Sequence, residues 1–241
     1  MSAPIRFVAT VACVAGAVGV PPIGKFDSVR SAPFHPSIHN LGNVGCLGRV
    51  HAWSARLATW VIDQVAYDGV NMRHVLAQHI AVRYVEGTRL LEVGCGVGTL
   101  TRELEHTQRF DIVAMDTSKE MLDQAKARVS CTLLHGNGID FDEAADVSVI
   151  CMVMHEMPPA AHGEMLDALL KMTNRDVWVV DIDPTYEPSQ SMLSGEPYLP
   201  RYLETIQHTI ETRAKGRSLE SFSPVEGHVR AWVIGSVVGP Q

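Results

Sequence analysis

From residue 88 onward the chain alternates two hydrophobic patterns. Short apolar runs at 88–93, 112–115, 146–154 and 176–182 are too brief for buried helices and read as strands covered on both faces. Amphipathic stretches lie between them. This alternation predicts a parallel, doubly wound α/β sheet. Upstream, Val50, Trp53, Leu57, Trp60, Val61 and Val65 recur near a 3.6-residue period and predict a helix over 49–67. Asn71 is placed to cap a second helix that runs to residue 84. Downstream, a helix is predicted over 197–213. Two strand-like runs at 219–225 and 228–234, parted by Glu226 and Gly227, predict a closing antiparallel hairpin. Residues 21–48 are rich in Pro, Gly, Ser, His and Asn and show little periodicity. No internal repeat or low-complexity tract is present.

The first strand ends in Leu90-Leu91-Glu92-Val93-Gly94-Cys95-Gly96-Val97-Gly98-Thr99. Three alternate glycines after a strand form a tight turn whose backbone a ligand can approach closely. The next apolar run closes in Asp116, about 20 residues on, where α/β nucleotide sites grip a ribose. A dinucleotide fingerprint needs a third glycine where this chain has Thr99. The spacing here is instead E-x-G-x-G-x-G.

That spacing, with Asp116, resembles motif I of the class I S-adenosylmethionine-dependent methyltransferases. Further matches follow in order: Asp116 to Leu122 at the second strand end, with Thr117 or Ser118 as helix cap; Leu134-His135-Gly136-Asn137-Gly138 at the third; His155-Glu156-Met157-Pro158 past the fourth. The likeness covers about residues 49–235. It implies a Rossmann-like sheet, mostly parallel, with strand order 3-2-1-4-5-7-6, an antiparallel C-terminal hairpin and N-terminal lid helices. It implies S-adenosyl-L-methionine as cofactor, held by Glu92, Gly94, Cys95, Gly96, Gly98, Asp116, Thr117, Met121, Asn137, Gly138 and Cys151. Glu92 would place negative charge near an ammonium and a sulfonium.

Methyl transfer from a sulfonium is an in-line displacement, so alignment and exclusion of water matter most. A base is needed only if the nucleophile must shed a proton early. His155 is the candidate base, at the carboxyl edge of the sheet where α/β sites open. Glu156 is the candidate to orient it or bind a substrate amine. His39, His51, Trp53 and Tyr186 are candidate substrate contacts. The segment His155-Glu156-Met157-Pro158-Pro159 does not match the [N/D/S]-P-P-[Y/F] motif of amino-methylating enzymes. Asp181 and Asp183 could supply half of a metal-dependent catechol-type site. Cys151 or Met152 stands where its other acid belongs, so no metal is predicted.

The chain has 241 residues, a formal charge of −7 and no basic run, which disfavours a nucleic-acid partner and favours a small-molecule substrate. Five scattered cysteines without a C-x-x-C pair read as reduced thiols. Residues 1–20 resemble a signal or transit leader: Arg6 precedes an apolar stretch, and no acid occurs before Asp27. That stretch is too short for stable insertion into a membrane. The expected organisation is a leader at 1–20, a loop and helical lid at 21–87, and a cofactor-binding core at 88–241. The compartment follows the leader: cytoplasmic without targeting, organellar or secretory with it. Monomer and homodimer both remain open. Two other functions compete with a small-molecule O-, N- or S-methyltransferase. One is an NAD(P)-dependent oxidoreductase, which shares Asp116 but fails at Thr99. The other is an inactive methyltransferase-like binding protein.

Overall fold

The computed structural model describes residues 24–25 and 42–237. The expected leader at 1–20 and His39 lie outside the described residues. The strands are β1 (Gly24–Lys25), β2 (Thr88–Val93), β3 (Phe110–Asp116), β4 (Thr132–His135), β5 (Ala145–Cys151), β6 (Thr173–Ile182), β7 (Arg217–Val225) and β8 (Val229–Val237). They form one sheet in the order β1-β4-β3-β2-β5-β6-β8-β7. Pairing is parallel from β1 to β6 and antiparallel at β6–β8 and β7–β8. Without β1, a two-residue edge strand that the sequence pattern did not reveal, the order is the expected 3-2-1-4-5-7-6.

The sheet is buried on both faces because successive side chains point to opposite sides. In β5 and β6, Val147, Val149, Trp178 and Val180 join one core. Ile150, Val177 and Val179 join the other. Helices α2 (Met72–Ala81), α3 (Thr99–His106) and α4 (Lys119–Ala125) contribute Leu76, Ile80, Leu100, Leu104 and Leu122 to the first core. Helices α5 (Pro159–Met172) and α7 (Leu199–Arg213) contribute Leu166, Leu169, Tyr202 and Ile206 to the second. A short α6 (Gln190–Gly195) precedes α7.

Local chemistry sets the helix starts. Asn71 caps α2 by accepting the His74 N–H, and Ser118 caps α4 by accepting the Met121 N–H. Three expectations need correction. The fourth strand ends at Cys151, three residues early, because Met152 takes a left-handed φ of +57°. A 3-10 turn over Met154–Glu156 follows. Helix α2 ends at Ala81 and is no lid: Met72, Leu76, Ala77 and Ile80 are buried in the first core. Among the described residues, α1 (Gly45–Val65) borders the carboxyl edge, packed on α4. Its inner surface uses Gly48, Ala52 and Asp63, and its large apolar side chains point outward.

Candidate active site

The glycine loop leaves β2 with Gly94, Gly96 and Gly98 all at positive φ. Gly94 is required twice over. Its φ is +74°, and a Cβ there would sit 2.3 Å from Val153 Cγ2. Gly98, at +75°, is the residue from which α3 starts. Across the loop Asp116 closes β3. Its Oδ2 accepts the Gly96 N–H at 2.7 Å and its Oδ1 accepts the Ser118 N–H at 2.8 Å. Asp116 therefore ties the glycine loop to the start of α4 while each oxygen keeps a second lone pair.

Between this loop and α1 lies a cavity of about 430 Å³. Ten of the eleven expected cofactor residues line it: Glu92, Gly94, Cys95, Gly96, Asp116, Thr117, Met121, Asn137, Gly138 and Cys151. Gly98 itself stays behind the loop, with its Cβ position against Val129 and Ala125. Gly138 is needed for packing, since a Cβ would meet Val93 Cγ1 at 2.6 Å. The Asn137 side chain accepts the Ile139 N–H and shapes the turn under the cavity. His51, His155 and Glu156 also line it. Sequence reasoning did not single out Asn43, Arg73, Met152, Val153, Met157 and Met165 for the site, and they also line the cavity.

Two expected substrate contacts lie elsewhere. Trp53 is on the outer face of α1, 69% exposed, because the helix turns its small residues inward. Tyr186 packs against the His228 ring at 5.4 Å and does not reach the cavity.

The carboxylates of the cavity are unusual. Glu92 is buried, and its Oε2 has no hydrogen-bond partner. Burial pushes its pKa up to about 7, against the pull of the Thr101 hydroxyl and with the help of Asp116. Burial likewise raises Asp116 to about 6, although the Ser118 and Gly96 amides oppose it. A buried acid with an unanswered oxygen is a socket for a cation or a donor. Burial also pushes the Cys151 thiol up to about 12 and Cys95 well above its usual value, so neither is a thiolate at neutral pH.

His155 is oriented by Asp181, not by Glu156. Its Nδ1 lies 2.5 Å from Asp181 Oδ1, and its backbone N–H donates to Asp181 Oδ2. Asp181 is wholly buried near the end of β6. Glu156 instead accepts from Asn43 Nδ2 at 3.5 Å. The signal for Asp181 was an acid closing an apolar run, the same signal that marked Asp116. Burial works to lower the His155 pKa, but Asp181, through its charge and hydrogen bond, with Glu156 and Glu196 behind it, raises it to about 9. Asp183 is taken by Arg230 at 2.9 Å and by Thr185.

Residues 90–176 match the family model described as a methyltransferase domain. No curated protein matches the sequence. Among solved structures, the chain is similar to magnesium protoporphyrin IX methyltransferase from Synechocystis PCC 6803 with bound SAM. The identity is 15% and the TM-score 0.55, over 79% of this chain and 95% of that one. It is similar to the plantazolicin methyltransferase BpumL in complex with a pentazolic desmethylPZN analog and SAH, at 15% identity and TM-score 0.56, over 78% and 95%. It is also similar to Haemonchus contortus phosphoethanolamine N-methyltransferase 2 in complex with S-adenosyl-L-methionine, at 13% and 0.54, over 68% and 52%. At these identities the structures testify to the fold. The methyltransferase-domain match covers residues 90–176, and the strand order is the one expected of a class I methyltransferase fold.

Proposed function

We propose that the protein moves a methyl group from S-adenosylmethionine to an O, N or S nucleophile of a small molecule, with His155 as general base. The carrying observation is convergence. One cavity is bordered by the glycine loop, by Glu92 with its unpartnered oxygen, by Asp116 and by the His155–Asp181 pair. The solved structures that carry SAM or SAH support the same cofactor, and the small molecules of two of them, magnesium protoporphyrin IX and a desmethylPZN analog, support a small acceptor.

The residues present fit this cofactor. Asp116 has lone pairs left for ribose hydroxyls. Glu92 lacks a partner that an amino-acid ammonium can supply, and ionising it beside a cation relieves its desolvation. Arg73 reaches the same cavity and suits the carboxylate of that tail. A dinucleotide site shares a ribose acid such as Asp116 but needs a third glycine where Thr99 stands, and its pyrophosphate would meet Glu92 as a like charge, so the nicotinamide reading draws no support from this pocket.

When bound, S-adenosylmethionine supplies a methyl already activated by its sulfonium. The protein's part is alignment, exclusion of water and one proton. Asp181 holds His155 Nδ1, which fixes the ring and leaves Nε2 to take the nucleophile's proton. His51, in the cavity wall on α1, is the candidate contact for the acceptor. Met152, Val153, Met157 and Met165 give the cavity an apolar wall that helps exclude water.

The test is calorimetric titration of the protein with S-adenosylhomocysteine and, separately, NADH, followed by an acceptor screen with labelled methyl donor. Binding of the first alone, then label transfer that His155→Ala abolishes, is the expected result. Binding of NADH alone refutes the cofactor. Tight S-adenosylhomocysteine binding without transfer to any acceptor favours the inactive binding protein.

A further inference from the structure

Helix α1 presents its large apolar residues to the outside. Trp53, Leu57 and Trp60 are 69, 61 and 58% exposed, and Val50, Val61 and Val65 continue the stripe. Their 3- and 4-residue spacing puts them on one side of the helix. Contiguous apolar exposure on this scale marks a surface that something covers.

Charge borders the stripe on one flank. Arg49 and Arg56 are the exposed charged residues of α1; its acid, Asp63, is buried and faces Arg73. Beyond Arg56, Arg102 of α3 and Arg128 after α4 line the same groove. Among the described residues none of Arg56, Arg102 and Arg128 forms an ion pair. The acid in the groove, Glu105, is occupied by the Ser130 and Cys131 N–H groups. Burial, then Arg56 and Arg102, lower the Arg128 pKa, as expected of guanidiniums crowded without an anion. This concentration of positive charge stands out on a chain of net charge −7.

We propose that this face of α1, with the arginine groove beside it, seats peripherally on a phospholipid bilayer carrying anionic headgroups. Each part of the surface finds its complement there. Tryptophans settle at the level of the headgroups, aliphatic side chains enter the acyl boundary, and guanidiniums meet lipid phosphates. Among the described residues no helix is long and apolar enough to cross a membrane, so the contact is with the surface. A second copy is a poorer occupant. Pairing two such faces would gather both sets of arginines around an apolar seam with no exposed acid on α1 to answer them. The chain's own residues 7–20 are apolar but carry no acid, so they too leave the arginines unanswered.

The docking face and the cavity share the helix. Ser54, Ala55, Ala58, Thr59 and Ile62 of α1 line the cavity. A bilayer-seated α1 therefore holds the cavity at the lipid surface. On the methyl-transfer reading above, on which this clause rests, it favours an acceptor that partitions into that surface.

The test is flotation of the full chain with vesicles of phosphatidylcholine mixed with phosphatidylglycerol, against phosphatidylcholine alone, while tryptophan emission is followed. Trp178 and Trp232 are buried, so a blue shift reports Trp53 and Trp60. The expected result is flotation and a blue shift with the anionic vesicles. Both should vanish in Trp53→Ala/Trp60→Ala and weaken about tenfold or more in Arg56→Glu/Arg102→Glu or at high salt. Both variants change exposed side chains, and their melting temperature and S-adenosylhomocysteine affinity should match wild type. Failure of wild type to float overturns the proposal. So does a wild-type dimer that the tryptophan variant splits. So does shielding of Trp53 and Trp60 from acrylamide before any vesicle is added, which would show the stripe already covered. Failure of S-adenosylhomocysteine to bind a protein that still floats removes the methyl-transfer reading alone.

Discussion

Asp181→Asn removes the anion that faces His155 at 2.5 Å and keeps the side chain's shape. In the native protein burial alone would lower the imidazole's pKa. Asp181, aided by Glu156 and Glu196, carries it from 6.5 up to about 9. At about 1.4 kcal/mol per pH unit, that favours the imidazolium by about 3 kcal/mol. The sign for stability follows. A raised histidine pKa contributes stability that is full below 6.5 and lost as pH rises through about 9. The native melting temperature should therefore fall between those two values. In Asp181→Asn burial prevails, the pKa drops below 6.5, and the fall across that window disappears. Side-chain nuclear magnetic resonance reads the His155 titration with no acceptor present. With an acceptor in hand, kcat/KM of the native enzyme should climb tenfold per pH unit to a plateau near 9. The variant should lack that limb and plateau at least about 100-fold lower, its imidazole no longer held. A native His155 that titrates near 6.5, or an unchanged limb in the variant, would refute the reasoning.

Three other substitutions probe the cofactor side. Glu92→Gln should stabilise the empty protein at pH 8 by up to about 3 kcal/mol. The raised Glu92 pKa gives stability that is full below 4.5 and lost as pH rises through about 7, and glutamine never ionises. The same variant should bind S-adenosylmethionine at least about tenfold more weakly, read by calorimetry. Unchanged affinity would deny Glu92 its role. Asp116→Ala should cost two charge-assisted hydrogen bonds to the ribose, each about 1.5–3 kcal/mol, and weaken S-adenosylhomocysteine binding by more than about 100-fold. Equal affinity would remove the ribose assignment. Gly94→Ala must hold φ at +74° and displace Val153, so it should lower stability by about 2–4 kcal/mol and distort the loop. A melting temperature equal to wild type would sink that account.

The sheet was legible in the sequence because its strands are buried on both faces and so read as unbroken apolar runs. The glycine loop and Asp116 were legible because a tight turn and a strand-end carboxylate leave local marks. What failed to show had long-range causes. Asp181 meets His155 only because β5 and β6 lie side by side, 26 residues apart in sequence. Arg73 enters the cavity from a helix whose apolar face belongs to the core. The periodicity of α1 correctly gave a helix but not its direction. An apolar stripe reports a face that wants cover, and the sequence cannot say whether the cover is the protein's own core. Trp53 was a candidate substrate contact because the resemblance makes this helix a lid, and its side chain lies on the outer face.

The thin inner surface of α1 has a kinetic consequence. Gly48, Ala52 and Asp63 are its buried residues, and small side chains give a helix little apolar area with which to hold its place. Gly48 cannot be enlarged to tighten the grip, since a Cβ would lie 2.5 Å from the Asn43 carbonyl carbon. Its amides should exchange with solvent deuterium through a cheap local opening, long before those of β5 and β6. The α1 wall of the cavity is thus more easily lifted than the sheet beneath it. If the proposed methyl transfer occurs here, product can leave by lifting α1 without disturbing the sheet, and the lifetime of the closed helix would then set the turnover rate.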